Sequence, residues 1–382
     1  MKNEYFTDSM RENLASYIVS FLQNLLFRAE SGYGYFYGYD LARNKPIEPV
    51  YCEVTGYGLS FHSFLSALTG DVEHLDLVKL LAEFLMVARS KVSGSAILYG
   101  FYPSKDAWSS LAYSFDNGVV AKAFFDAYRA LNSKKYLDHG LRISEWLVSA
   151  MQRSDGGFAA AYDYGEKGFI DFNTWYGNGG CLHGKLAIPL LTAWKLSGDD
   201  RFRDSAEKLL AWLLKLQMDN GAFRAREDTN YVFHHTHCYA LEGFLYAWHE
   251  LGDDRYLDVA VRGAKWLARI QHRSGGLPDL YPYPIFVRRL VTDATAQAIR
   301  IWLILHKITG NEFWLMHAEK GLGFLKSIMF RRARAHGALP AHVWYPLYSA
   351  RRTHTWSMMF AAQAFVFSKK ELSLSEMMQY LF

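Results

Sequence analysis

Cysteine is scarce in this sequence, with three among 382 residues. An odd number of widely separated thiols excludes a disulfide scaffold. No run of about 18 apolar residues occurs, so no membrane span is expected. The stretch Met1-Lys2-Asn3-Glu4-Tyr5 does not lead a charged segment into an apolar one. A secretory leader is therefore not expected, and the cytoplasm is the default compartment. An excess of one charge is missing too: 42 Lys and Arg against 38 Asp and Glu leave +4. That is too mild for a nucleic-acid partner. One basic stretch, Arg331, Arg332 and Arg334 followed by His336, reads as a solvated loop or as a contact for a polyanion. With 51% apolar and 21% charged residues, disorder is excluded and a large core is possible.

Aromatic residues are abundant instead: 11 Trp, 25 Tyr and 26 Phe, 16% of the chain. Many will fill seams between helices, yet Trp and Tyr are also the side chains that line clefts for sugars.

Two local signals repeat along the chain. In the first, a helix stops at Gly or Asn and an acidic or polar residue follows, as in Leu196-Ser197-Gly198-Asp199-Asp200 and Leu251-Gly252-Asp253-Asp254. Gly70-Asp71, Asn132-Ser133 and Gly310-Asn311 occupy the same slot. Gly or Asn accepts the left-handed conformation that ends a helix. The second signal follows about twenty residues later. Trp146-Leu147 leads to Gln152 and Asp155-Gly156-Gly157-Phe158, Trp212-Leu213 to Gln217 and Asn220-Gly221-Ala222-Phe223, and Trp266-Leu267 to Gln271 and Gly275-Gly276-Leu277. Weaker copies end at Gly94 and Gly337.

The period, roughly sixty residues, is that of one helical hairpin with its loop. Inner helices are expected from about Thr55, Asn117, His183, His237, Thr295 and His354, each but the last followed by an outer helix. The missing outer helix is Ser9 to Arg28, which leads to Gly32-Tyr33-Gly34-Tyr35-Phe36. The expectation is an all-α, single (α/α)6 toroid over residues 1–382, its N-terminal helix closing against its C-terminal one. No Pro/Ser-rich linker divides it. The inner helices are poor in charge, as buried walls should be, and Pro189 should kink the third or free a carbonyl.

In such a toroid the segments leading into the inner helices crowd around one mouth, where helix N-termini present free amides. Those segments carry Glu53, Tyr57, Asp116, Asn178, His183, His235, His237, Tyr239, Glu242, Asp293, Gln297, Arg352, His354 and Trp356. Each has a plain alternative. Asp116, Asp293 and Thr295 are capping types, and Glu53 suits a helix N-terminus. His183 and His237 fall at equivalent repeat positions, which fits packing. Glu242 lies a turn inside its helix, so it is a buried ion-pair member or an active-site acid.

Cys181, His183, His237 and Cys238 form a possible zinc set, but their spacing matches no short zinc signature. Trp-Tyr-Gly and Cys-Leu-His-Gly resemble lanthionine-synthetase-like cyclases while departing from both motifs of that group. No cofactor is expected.

Glu53-Val54-Thr55-Gly56-Tyr57, His235-Thr236-His237-Cys238-Tyr239-Ala240-Leu241-Glu242-Gly243 and Thr295-x-Gln297-Ala298-x-x-x-Trp302 resemble a group of six-hairpin proteins of polysaccharide or surface-glycan biosynthesis. That group is similar to the helical domain of D-glucuronyl C5-epimerases. The likeness runs from about Tyr51 to Phe365 and implies an oligo- or polysaccharide substrate. The β-rich domains that accompany the epimerase domain are absent.

C5 epimerisation or elimination needs a base, an opposing acid and a cation for the substrate carboxylate. Tyr57, Tyr239, His237 and Glu242 supply the first two, and Arg351 or Arg352 the third. Trp175, Trp344 and Tyr345 could stack on sugar rings. Hydrolysis would need two carboxyls across the bond, drawn from Glu53, Asp116, Glu242 and Asp293. A non-catalytic glycan-binding protein of polysaccharide assembly could use the same aromatic mouth. A terpenoid cyclase lacks its cluster of aspartates.

Overall fold

The computed structural model describes residues 8–92, 96–170, 179–282, 289–330, 335–344, 348–369 and 371–382. Six helices form an inner set: α2 (Cys52–Thr69), α4 (Ser114–Leu131), α6 (Ala187–Ser197), α8 (His234–Leu251), α10 (Thr292–Thr309) and α12 (Thr355–Phe367). An outer set comprises α1 (Asp8–Leu22), α3 (Val72–Ser90), α5 (Lys134–Trp146), α7 (Asp200–Leu214), α9 (Asp254–Ile270) and α11 (Glu312–Ile328), and a short α13 (Leu374–Gln379) follows. Each inner helix packs on an outer one, with α1 against α12. Inner helices touch in the order α2, α4, α6, α8, α10, α12, and α12 touches α2.

The repeated sequence signals have repeated structural jobs. Gly70, Gly198, Gly252 and Gly310 end their helices at φ between +65° and +74°, where a side chain would be strained. Asp71, Asp199, Asp253 and Asn311 then cap the next helix by accepting a main-chain N–H. Gln152, Gln217 and Gln271 each donate to two carbonyls, one in their own Gly-turn and one on the next outer helix. The fourth residue of an inner helix receives the N–H of the turn before it: Tyr35 to Thr55, Ile97 to Asn117, Phe223 to His237 and Leu277 to Thr295.

Three expectations are corrected. Helices α2, α4, α8 and α10 begin about one turn earlier than the apolar pattern indicated, because that turn carries polar residues. Pro189 does not kink α6 midway. It stands near the start of α6, and the turn before it, Cys181–Leu186, is a 3-10 helix. Proline has no N–H to give the carbonyl four residues back. Finally, the chain is not purely α. Antiparallel strands line the lead-ins: Gly32–Asp40 pairs with Lys45–Tyr51 and with Arg352–His354. The lead-ins run side by side, and pairing satisfies their main-chain groups. The alternation Tyr33, Tyr35, Tyr37, Tyr39 is the period-two signal of that strand.

Candidate active site at the helix N-termini

Positions along the inner helices stack into layers. In five of the six the second residue is Glu53 in α2, Phe115 in α4, His235 in α8, Asp293 in α10 and Trp356 in α12. In the same five the sixth residue is Tyr57, Val119, Tyr239, Gln297 and Phe360, and four of the ninth residues are Lys122, Glu242, Arg300 and Gln363. Residues four and seven apart share a helix face, so these layers descend from the mouth inward.

On one side of the mouth stand two carboxyls. Glu53 is raised to about 7, chiefly by burial, against the opposing pull of Tyr51, Tyr57 and Lys185. Asp116 is pushed well above the carboxylate range by burial and then by Glu53. Tyr51 donates to its Oδ1 at 3.2 Å, while Oδ2 is buried without a partner. Burial raises both acids and Glu53 raises Asp116 further, so the pair holds at least one proton at neutral pH.

On the other side stand two imidazoles. His235 Nδ1 lies 2.5 Å from Gln297 Oε1. His354 Nδ1 lies 4.0 Å from Asp293 Oδ2, and its ring stacks on Trp356 with centroids 4.3 Å apart. Burial lowers His354 to about 4, with Asp293 opposing and His235 adding to the fall. His235 thus turns Nδ1 toward an oxygen acceptor, which places the proton there and leaves Nε2 unprotonated, while His354 Nδ1 is buried without a hydrogen-bond partner. Tyr37 joins the two sides. Burial raises it to about 12, and both Asp293 and Glu53 contribute. Beneath them the Tyr57 hydroxyl donates to the Tyr239 hydroxyl at 2.9 Å.

Other expected residues sit elsewhere. His237 accepts from Phe223 N–H through Nδ1 and reaches the Gly263 carbonyl through Nε2 at 3.2 Å. Neither nitrogen is free for a substrate, and burial lowers the ring to about 3. His183 is buried at the equivalent place, beside Phe158. Glu242 is the ion-pair member of the two alternatives: its oxygens lie 2.5 Å from Lys185 Nζ and 2.6 Å from Arg300 Nη2. Arg352 faces Asp40 at 3.8 Å. Trp344 lies on a strand paired with Arg289–Val291. Trp175, Asn178 and Tyr345 fall outside the described residues.

The zinc set does not assemble. Cys181 donates to Thr236, Cys238 approaches the Ala294 carbonyl, and His237 is engaged as above. Among the described residues, no group of three or more His, Cys, Asp or Glu is placed to hold a metal ion.

Sequence reading missed Tyr51, Tyr37, Lys185 and Arg300. A signal existed for Arg300: a lone charge within Ala298-Ile299-Arg300-Ile301-Trp302 on a helix apolar all round implies a buried partner.

No family model and no curated protein matches the chain. Solved structures do. A sugar epimerase from a ruminal bacterium superposes with a TM-score of 0.78 at 15% identity, covering 94% of this chain and 100% of that one. Cellobiose 2-epimerase from Bacillus thermoamylovorans gives 0.78 at 12% identity, with the same coverage. A GH76 alpha-mannanase from Bacteroides thetaiotaomicron gives 0.69 at 13%, covering 93% and 94%. At these identities the likeness shows the fold alone, an α/α arrangement that two sugar epimerases and a mannanase also have. It does not single out the D-glucuronyl C5-epimerase domain.

Proposed function

We propose that the chain is a single-domain, closed α/α toroid and a carbohydrate-active enzyme that exchanges a carbon-bound proton of a sugar, as an epimerase or isomerase. The observation that carries this is the meeting of two imidazoles at the mouth: His235, its Nδ1 held by Gln297 Oε1, and His354, its ring stacked on Trp356 with centroids 4.3 Å apart. Proton exchange at a sugar carbon needs acidity beside a carbonyl, which a reducing sugar has in its open-chain form. One imidazole removes the proton, and the other, or the Asp116–Glu53 pair, returns one. Tyr37 and Trp356 offer faces to the ring.

A neutral sugar suits this mouth better than a uronate. Arg352 stands against Asp40, Arg289 against Asp279, and Lys185 and Arg300 against Glu242. Each of these described cations already has a carboxylate. A second reading, glycoside hydrolysis, draws on the two buried, raised carboxyls Glu53 and Asp116.

Incubation with reducing mono- and disaccharides in deuterated water distinguishes the two. Deuterium at the carbon next to the carbonyl, with a new epimer or ketose, is the expected result. New reducing ends without deuterium would instead establish the hydrolase, and an ultraviolet-absorbing double bond the lyase.

A further inference from the structure

Deep in the bundle, three buried side chains on three inner helices hold main-chain oxygens of the last residues. Lys122 Nζ on α4 donates to Gln379 O at 3.0 Å, Gln363 Nε2 on α12 to Tyr380 O at 2.6 Å, and Arg300 Nη1 on α10 to Phe382 O at 2.9 Å. All three are ninth residues of their helices, so the grip is one layer of the bundle. Leu381 and Phe382 are themselves buried, and Phe382 packs near Tyr57, Phe61 and Phe360. Polar side chains at this depth are costly unless partnered, and here the partner is a peptide backbone.

The same layer connects upward. Gln363 Oε1 accepts from Arg300, and Arg300 in turn holds Glu242 and lies 4.3 Å from the centre of the Phe360 ring. Phe360 contacts Tyr57, Tyr239 and His235. The geometry points to a peptide-binding site inside the bundle, occupied by residues 372–382, which sets the positions of Tyr57, Tyr239 and His235 from below. These tail residues are positioning residues; none belongs to the mouth. Only the activity readout rests on the function proposed above.

The test uses a chain truncated after Glu371 and a synthetic peptide of residues 372–382. The truncated chain should retain its helical circular dichroism and lose turnover on the order of tenfold to a hundredfold in kcat, with KM less affected. The peptide should bind it saturably, restore kcat and return the His235 ring proton signal to its parental position. A peptide carrying Phe382→Ala should do so at least about tenfold more weakly, as loss of a buried aromatic anchor requires. Parental kcat and His235 signal in the folded truncation, or a bound peptide that restores neither, would overturn the proposal. If the truncation does not fold, full-length Phe382→Ala and Gln363→Ala take its place. Faster amide exchange in the tail together with a shifted His235 signal upholds the proposal, and an unmoved signal rejects it. The His235 signal needs no substrate, so an inactive parent would sink the sugar reading and leave this test standing.

Discussion

The hydroxyl of Tyr57 donates to the hydroxyl of Tyr239 across 2.9 Å, although 182 residues separate them in the chain. Each is the sixth residue of its helix, and each lies one turn below a titratable second residue, Glu53 and His235. The pair ties the carboxyl side of the mouth to the imidazole side.

Replacing Tyr57 by Phe removes the donor and leaves the buried Tyr239 hydroxyl without its partner. The loss of one such bond should cost about 1–3 kcal/mol in urea unfolding. Proton exchange on the sugar should slow by about tenfold or more, because Glu53 and His235 lose their shared brace. Unchanged stability together with unchanged exchange would show that the contact is incidental.

The Gln ties are structural by the same reasoning. Gln217 Nε2 bonds Gly221 O and Val259 O at 3.1 Å each, so Gln217→Ala leaves two carbonyls short of a donor. A cost of about 1–3 kcal/mol is expected. Sugar turnover at low temperature should not change, since this end of α7 lies outside the mouth layers. Urea unfolding beside a kinetic assay checks both halves.

The parts of the fold that were legible are those where one residue type does one job. A Gly at positive φ, a capping Asp and a bonding Gln each repeat because backbone geometry recurs, and they mark the hairpins without reference to tertiary contacts. Pairing partners were not legible in the same way. Glu242 could be read as an acid or an ion-pair member until Lys185 and Arg300, far away in sequence, were seen on its two oxygens. The prominence of His237 in its motif was misleading for a local reason: the fourth residue of an inner helix is spent on the preceding turn, while His235, two positions earlier, faces the mouth. The strand Arg352–His354 was hidden because its partner lies at the opposite end of the chain, as with Thr353 and Tyr39.

Glu242 is where removal of one partner should hurt most. Glu242→Gln leaves Lys185 and Arg300 buried with no neutralising charge, and a destabilisation of about 3–5 kcal/mol is expected. Lys185→Met is a milder change. It removes a cation that burial has already lowered to about 8 and leaves the Arg300–Glu242 contact in place. Chemical denaturation of the two variants should rank them in that order, and the reverse order would refute the assignment of Glu242 as the hub.

The pH dependence of stability isolates Glu53. Its carboxyl titrates near 4.5 when unfolded and at about 7 when folded, raised mainly by burial. A group with a raised folded pKa stabilises the native state fully below the unfolded value, and that contribution is lost as pH climbs through the folded value. Parent stability attributable to Glu53 should therefore decline between about pH 4.5 and pH 7 and level off above. Glu53→Gln keeps a neutral side chain of the same shape, so the decline should shrink and the variant should exceed the parent in melting temperature at pH 8. The same variant should lose most of its sugar turnover if Glu53 shares the proton of Asp116 during exchange. Melting curves from pH 4 to pH 8 on both proteins, read with the deuterium assay, settle the point. An equal slope in parent and variant would mean that the carboxyl is hydrated and does not share that proton.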